Sequence, residues 1–104
     1  MRLLLLATLA ALLVGCAATS ATRLFRSGTA ALDRGDEIAA VRDLEQAARL
    51  LPGSSAVQNH LGLAYAASRR DADALAAFER AVALDCDNQA AQQNLARARA
   101  HAAR

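Results

Sequence analysis

An internal repeat of 34 residues is the feature that most limits how this chain can fold. When residues 21–54 are placed over residues 55–88, six positions are identical. They are the pairs Gly28/Gly62, Ala30/Ala64, Ala40/Ala74, Glu45/Glu79, Ala47/Ala81 and Leu50/Leu84. Alanine is common throughout this chain, so the glycine, glutamate and leucine pairs carry most of the weight. A repeat of this length indicates one supersecondary unit that is used twice and stacked on itself.

The sequence after Ser20 favours helices, because alanine, leucine and arginine dominate it and all three are strong helix formers. Glycine and proline are few and evenly spaced, which divides this part of the chain into short segments. The spacing predicts five helices, at about residues 21–34, 36–51, 55–68, 71–84 and 89–102.

The predicted helix ends carry suitable capping residues. Gly35 lies where a helix C-terminus favours a left-handed residue. Asp36 can accept hydrogen bonds from the first free N–H groups of the second helix, and Ser54 or Ser55 can do the same for the third. Asp71 is the expected cap of the fourth helix.

The apolar residues recur at intervals of three and four, as they do on one face of a helix. In the second predicted helix these positions are Ile38, Val41, Leu44, Ala48 and Leu51. Small residues at repeated positions, Gly28 and Gly62 above all, allow helices to approach closely. The chain is therefore expected to be all-α, and an antiparallel helical bundle remains an alternative to a stack of repeats.

The pattern resembles the tetratricopeptide repeat (TPR), a helix-turn-helix unit of the same length. The second unit places matching residues at the family's signature positions, namely Leu61, Gly62, Tyr65, Ala74, Phe78 and Ala81. The first unit matches with Leu24, Gly28, Ala31, Ala40, Leu44, Ala47 and Pro52. The resemblance implies a short right-handed solenoid of helical hairpins. Its units would be residues 21–54 and 55–88, followed by a capping helix or partial third unit at 89–104.

Members of the TPR family bind a peptide or a partner helix in a groove lined by the first helix of each unit. The resemblance implies that the groove residues here are Thr22, Phe25, Thr29, Leu32, Asn59, Leu63 and Ala66. This set is mainly apolar, which favours a hydrophobic protein partner over a charged one. The alternative is that some of these side chains simply pack against the last helix.

The N-terminus has the three parts of an export signal: a charge at Arg2, an apolar run, and small residues before a cysteine. Leu13-Val14-Gly15-Cys16 resembles the lipobox of bacterial lipoproteins. The resemblance implies that residues 1–15 are removed, that Cys16 carries lipid, and that residues 16–20 link it to the first repeat. Such a protein would be anchored in the bacterial cell envelope by its lipid, and the periplasmic face of the outer membrane is favoured.

Charge and residue spacing argue against several classes of function. From Cys16 onward there are eleven arginines and ten acidic residues. Many arginines lie close to an acidic residue in sequence, as in Arg34-Gly35-Asp36 and Arg42-Asp43. This pattern predicts salt-bridged helix faces and no nucleic-acid partner. The two histidines, His60 and His101, lack a partner at metal-ligand spacing. We therefore expect no catalytic residues, no metal, no cofactor and no enzymatic activity.

The function expected from sequence is that of a membrane-anchored adaptor or scaffold in envelope assembly, such as pilus, secretion or cell-wall machinery. The alternative is a structural subunit that associates only with itself. Self-association is a reasonable expectation because two and a half repeats leave much apolar surface exposed. Cys86 is either a partly buried turn residue or the site of an intermolecular disulfide.

Overall fold

The computed structural model describes the backbone of the whole chain and the side chains of residues 1–8 and 19–104. The described residues form an all-α fold in which adjacent helices pack as hairpins, as predicted. The helices are α1 (Arg2–Asp33), α2 (Glu37–Leu50), α3 (Ser55–Ala67), α4 (Asp71–Leu84) and α5 (Gln89–Ala102). The ends of α2 to α5 lie within one or two residues of the predicted ends.

The start of α1 differs from the prediction, because this helix begins at Arg2 and not near residue 21. Leucine and alanine dominate the intervening sequence, and both favour helix. Leu3 and Leu6 are 84% and 63% exposed, so this end of α1 adds nothing to the core. The predicted lipobox and Cys16 lie outside the residues whose side chains are described. No helix among the described residues is long and apolar enough to cross a membrane.

Two of the predicted caps are confirmed. The Asp36 carboxylate accepts a hydrogen bond from the N–H of Ala39 at 3.2 Å, and the Ser54 hydroxyl accepts one from the N–H of Val57 at 3.3 Å. Gly35 adopts the left-handed conformation expected at the end of α1, with φ +78°.

The prediction that Asp71 caps α4 is wrong. The N-cap position is Arg70, whose side chain makes no capping hydrogen bond, and Asp71 begins the first turn of the helix. There its negative charge is still favourable, because the N–H groups at a helix N-terminus carry partial positive charge.

The helices are arranged in two layers. Helices α1 and α3 contact each other, and so do α3 and α5, whereas α2 and α4, both fully described, make no contact with each other. We call α1 from residue 19, together with α3 and α5 as far as Arg104, the first layer. Helices α2 and α4 form the second layer. Neighbouring helices contact each other within the first layer but not within the second, so the first layer lies on the concave side of the stack.

Two glycines set the separation within the hairpins. A Cβ atom added to Gly28 on α1 would lie 2.6 Å from Leu44 Cγ on α2. A Cβ atom on Gly62 of α3 would lie 2.6 Å from Phe78 Cδ1 on α4. Both distances are far below van der Waals contact, so only glycine permits these helices to pack so closely.

The core lies between the two layers and is built from small and large apolar side chains in alternation. Leu44 is fully buried, and Leu61, Tyr65, Phe78 and Leu95 are at most 8% exposed. Alanines such as Ala31, Ala40, Ala64 and Ala77 fill the remaining space. Leu95 brings α5 into this core, which fixes the orientation of the last helix.

A buried carboxylate joins the first hairpin. Asp43 on α2 is 6% exposed and accepts hydrogen bonds from Arg42 Nε at 2.9 Å and from Ser27 Oγ on α1 at 2.7 Å. Both hydrogen bonds lower the pKa of the Asp43 carboxyl, and the bond from Arg42 has the larger effect. The charged form is therefore favoured in the folded state, and it holds α1 in register with α2.

The close approach at Gly62 gives a first prediction. Gly62→Ala should lower the free energy of unfolding, because overpacking against Phe78 costs about 1–3 kcal/mol. The higher helix propensity of alanine offsets at most about 1 kcal/mol of this cost. The control is Gly53→Ala, because a Cβ atom there meets no heavy atom within 4 Å. Urea unfolding monitored by circular dichroism measures both variants, and equal stability of the two would contradict the packing argument.

The Ser27–Asp43 bond gives a second prediction. Ser27→Ala should lower the free energy of unfolding by about 1 kcal/mol at neutral pH, through loss of a hydrogen bond to a charged group. Because the folded pKa of Asp43 is depressed, its stabilisation is present above about pH 4 and is lost as pH falls through the folded pKa. The difference between variant and wild type should therefore shrink in acid. A difference that does not change with pH would show that the bond does not depend on the carboxylate charge.

Candidate functional site

The fold separates charges that alternate along the sequence. In the first layer, residues 19–33, 55–67 and 89–104 contain five arginines and one carboxylate, that of Asp33 in the last turn of α1. In the second layer, Glu37–Leu50 and Asp71–Leu84 contain six carboxylates and three arginines. The concave side of the stack is therefore positively charged, and the opposite side is negatively charged.

Three arginines in and near the second layer, Arg34, Arg42 and Arg70, are paired with carboxylates. Arg42 contacts Asp43 at 2.9 Å, and Arg34 contacts Asp36 at 3.7 Å, as the sequence predicts. Arg70 contacts Asp73 at 2.9 Å, and its guanidinium lies 4.5 Å from the centroid of the Tyr65 ring.

In and near the second layer, Arg49, Arg69 and Arg80 form no ion pair with a described residue. In the first layer this holds for all five arginines, which are Arg23, Arg26, Arg97, Arg99 and Arg104. All five are exposed. Their charges are available to an anionic partner without the loss of an existing ion pair.

A cleft of about 340 Å³ lies between α5 and the α3–α4 hairpin. We call it the α5 cleft. Its apolar wall is formed by Leu63, Ala66, Ala74, Phe78 and Ala98, and its polar wall by Asp71, Asn94, Arg97, His101 and Arg104. The α5 residues recur at intervals of three and four, which brings them to one side of the helix. The one carboxylate of the cleft, that of Asp71, contacts His101 Nε2 at 3.3 Å.

A partly buried amide pair attaches α5 to α3. Asn59 is 5% exposed, and its Oδ1 accepts a hydrogen bond from Asn94 Nδ2 at 2.9 Å. A buried amide without a partner costs about 1–3 kcal/mol, so this bond strongly favours one position of α5. Arg97 lies one turn beyond Asn94, and its place at the edge of the α5 cleft follows from that bond.

An aromatic pair joins α1 to α3. The rings of Phe25 and His60 pack edge to face, with centroids 5.0 Å apart and an angle of 85° between their planes. His60 Nδ1 lies 2.9 Å from the carbonyl oxygen of Ala56 and donates a hydrogen bond to it, since a carbonyl can only accept. Both rings are partly exposed, and Arg26 follows Phe25 on α1.

The predicted groove residues all lie on the first layer, but they do not line one common groove. Thr22 is exposed in a shallow depression with Thr19, Arg23 and Arg26. Phe25 packs on His60, while Thr29 and Leu32 are partly buried on the same helix. Asn59 is buried and hydrogen-bonded to Asn94, and Leu63 and Ala66 line the α5 cleft.

Sequence reasoning missed the polar residues of α5, which are Asn94, Arg97, His101 and Arg104. The signal that could have found them is the lack of any acidic residue from Asn88 to the end of the chain. Cys86 lies in a turn, as expected, but it is exposed and not partly buried. Within the described residues, no group of three His, Cys, Asp or Glu side chains could hold a metal ion.

Comparison with known families identifies the kind of domain. The family model for the Est1 DNA/RNA binding domain matches residues 40–98, which is more than half of the chain. The chain belongs to the Est1 DNA/RNA binding domain family. The match covers most of α2, all of α3 and α4, and α5 as far as Ala98. It includes His60, Asn59, Asn94 and Arg97. No curated protein matches the chain.

This finding corrects the family expected from sequence. The assignment to the TPR family is wrong, and so is the predicted function as a TPR adaptor in bacterial envelope assembly. The repeat pattern reflects how the helices pack, because its repeated glycines make equivalent contacts, Gly28 with Leu44 and Gly62 with Phe78. Stacked helical hairpins occur in several families, so the packing pattern alone does not identify the partner.

The Est1 match also contradicts the prediction that nucleic acid is excluded as a partner. That prediction rested on near-neutral charge and on arginines that alternate with acids along the chain. The physical error is that neighbours in sequence need not share a surface. Helices of the first layer alternate in sequence with helices of the second, so the fold collects one sign of charge on each side.

Proposed function

We propose that this chain is a binding module for DNA or RNA, without catalytic activity, and that its first layer is the binding surface. The observation that carries the proposal is the match of residues 40–98 to the Est1 DNA/RNA binding domain. The separation of charge between the layers supports it, because a polyanion favours a surface on which arginines greatly outnumber carboxylates.

Arginines are suited to this task because the planar guanidinium can donate two parallel hydrogen bonds to one phosphate. Arg97 and Arg104 both line the α5 cleft. Their side chains can reach a backbone that follows the concave side. Contact with each phosphate also releases counterions, which favours binding at low salt.

The second layer directs the nucleic acid to one side of the molecule. Its carboxylates, among them Glu37, Glu45 and Glu79, would repel phosphates that approached α2 or α4. Exposed charges act over about 8–10 Å at physiological salt, so charges that face solvent on opposite sides of the stack are largely screened from each other. A net charge of only +2 is therefore compatible with a strongly positive face.

The test compares two exposed arginines, one in each layer. Arg97 lines the α5 cleft, whereas Arg49 lies on α2 beside Glu45 and Gln46, and neither forms an ion pair with a described residue. Arg97→Gln should weaken the binding of a labelled oligouridine about tenfold, through loss of a charge-assisted contact. It should also reduce the slope of log K against log salt by about 0.7. Fluorescence polarisation across a salt series measures both quantities.

The control, Arg49→Gln, removes the same charge and should leave both affinity and salt slope unchanged. Equal losses in the two variants would show that only total charge matters and would contradict a specific surface. Failure of the wild-type chain to bind oligouridine, oligothymidine and duplex DNA at low salt would overturn the proposal as a whole.

A further inference from the structure

We propose that Phe25 and His60 form a surface on which one base of the bound nucleic acid stacks. The inference rests on the proposed function and assigns a role to a site outside the α5 cleft. Proteins that bind single strands combine a positive surface with aromatic side chains on which bases stack.

The geometry of the pair leaves ring surface available. In an edge-to-face contact, the ring that presents its edge keeps both faces clear of its partner, and the other ring keeps one face clear. Phe25 and His60 have this arrangement, at an angle of 85°, and both are only partly buried. Part of the ring surface is therefore exposed to solvent while the pair stays in contact.

The pair is also held in place before any ligand binds. The hydrogen bond from His60 Nδ1 to the Ala56 carbonyl fixes the imidazole on α3. Phe25 packs against the edge of the hydrophobic core, which limits its motion. A preorganised ring loses little entropy when a base stacks on it, which favours binding.

Positive charge lies on both sides of the aromatic pair. Arg26 follows Phe25 on α1, and it has no ion pair within the described residues. On the other side, Asn59 precedes His60 and bonds Asn94 of α5, and Arg97 lies three residues, a rise of about 4.5 Å, further along α5. A strand that crosses the first layer can thus place phosphates on Arg26 and Arg97, with a base on the rings between them.

A duplex cannot use this surface in the same way, because its bases are stacked on each other and their faces are covered. A duplex can therefore bind this surface only through contacts between its phosphates and the arginines. The arrangement therefore predicts preference for single strands, and it predicts that loss of the aromatic ring affects single strands alone.

The experiment uses the lack of tryptophan in this chain. Phe25→Trp introduces a single fluorophore into the pair and keeps an aromatic ring there. Its emission should be strongly quenched by oligouridine and by oligothymidine, because a stacked base quenches indole, and should change little with duplex DNA. The control is Ile38→Trp, at a position on α2 that is 84% exposed and faces away from the first layer. Its emission should not change with any of the three.

Binding measurements complete the test. Phe25→Leu should weaken both single strands about tenfold, since loss of one base stack has an effect of this size. Its salt slope should match that of wild type, because no phosphate contact is lost. Phe25→Tyr should bind as wild type does. Circular dichroism first verifies that the Phe25→Leu variant is folded, and its binding is then measured.

The outcomes separate the two proposals. Equal affinity for duplex and single strands, absence of quenching in the Phe25→Trp variant, or wild-type affinity of Phe25→Leu would overturn the stacking site and leave the proposed function intact. If the wild-type chain binds none of the three nucleic acids, both proposals fail together.

Discussion

The structure depends on the close approach of helices within each hairpin. Gly28 against Leu44 and Gly62 against Phe78 bring backbone and side chain nearer than any other residue would allow. Because the two contacts are equivalent, the two hairpins have similar internal packing. Contacts of α3 with α1 and with α5 then place these three helices in one layer, on which the charge separation rests.

The layers turn an alternating sequence into two surfaces of opposite charge. Acidic residues lie mainly in α2, α4 and the turns, where they pair with arginines such as Arg42 and Arg70. The arginines of α1 and α5 are left without such partners among the described residues. The partly buried bonds that fix the layers, Ser27 to Asp43 and Asn94 to Asn59, also fix where these arginines stand. The nucleic acid proposed as ligand, from membership of the Est1 DNA/RNA binding domain family, has the opposite charge to this surface.

Sequence was sufficient for the local parts of the fold and insufficient for its surfaces. The helices, the caps at Asp36 and Ser54 and the left-handed Gly35 follow from short-range rules, and the structure agrees. The bond between Asn59 and Asn94, 35 residues apart, and the pairing of Phe25 with His60 require the tertiary arrangement. For the same reason the positive face was missed, since it forms only when α1 and α5 are brought beside α3. The repeat pattern itself led to the wrong family because it records packing and not ligand chemistry.

The central claim is that nucleic acid binds the first layer, and mapping of backbone amide shifts tests it most directly. The isotope-labelled full chain is titrated with oligouridine, and changes in its ¹⁵N–¹H spectrum are assigned to residues. The structure predicts changes around Arg26, His60 and Arg97, with little change around Arg49 on α2. Changes centred on α2 and α4, or no changes anywhere at low salt, would contradict the claim.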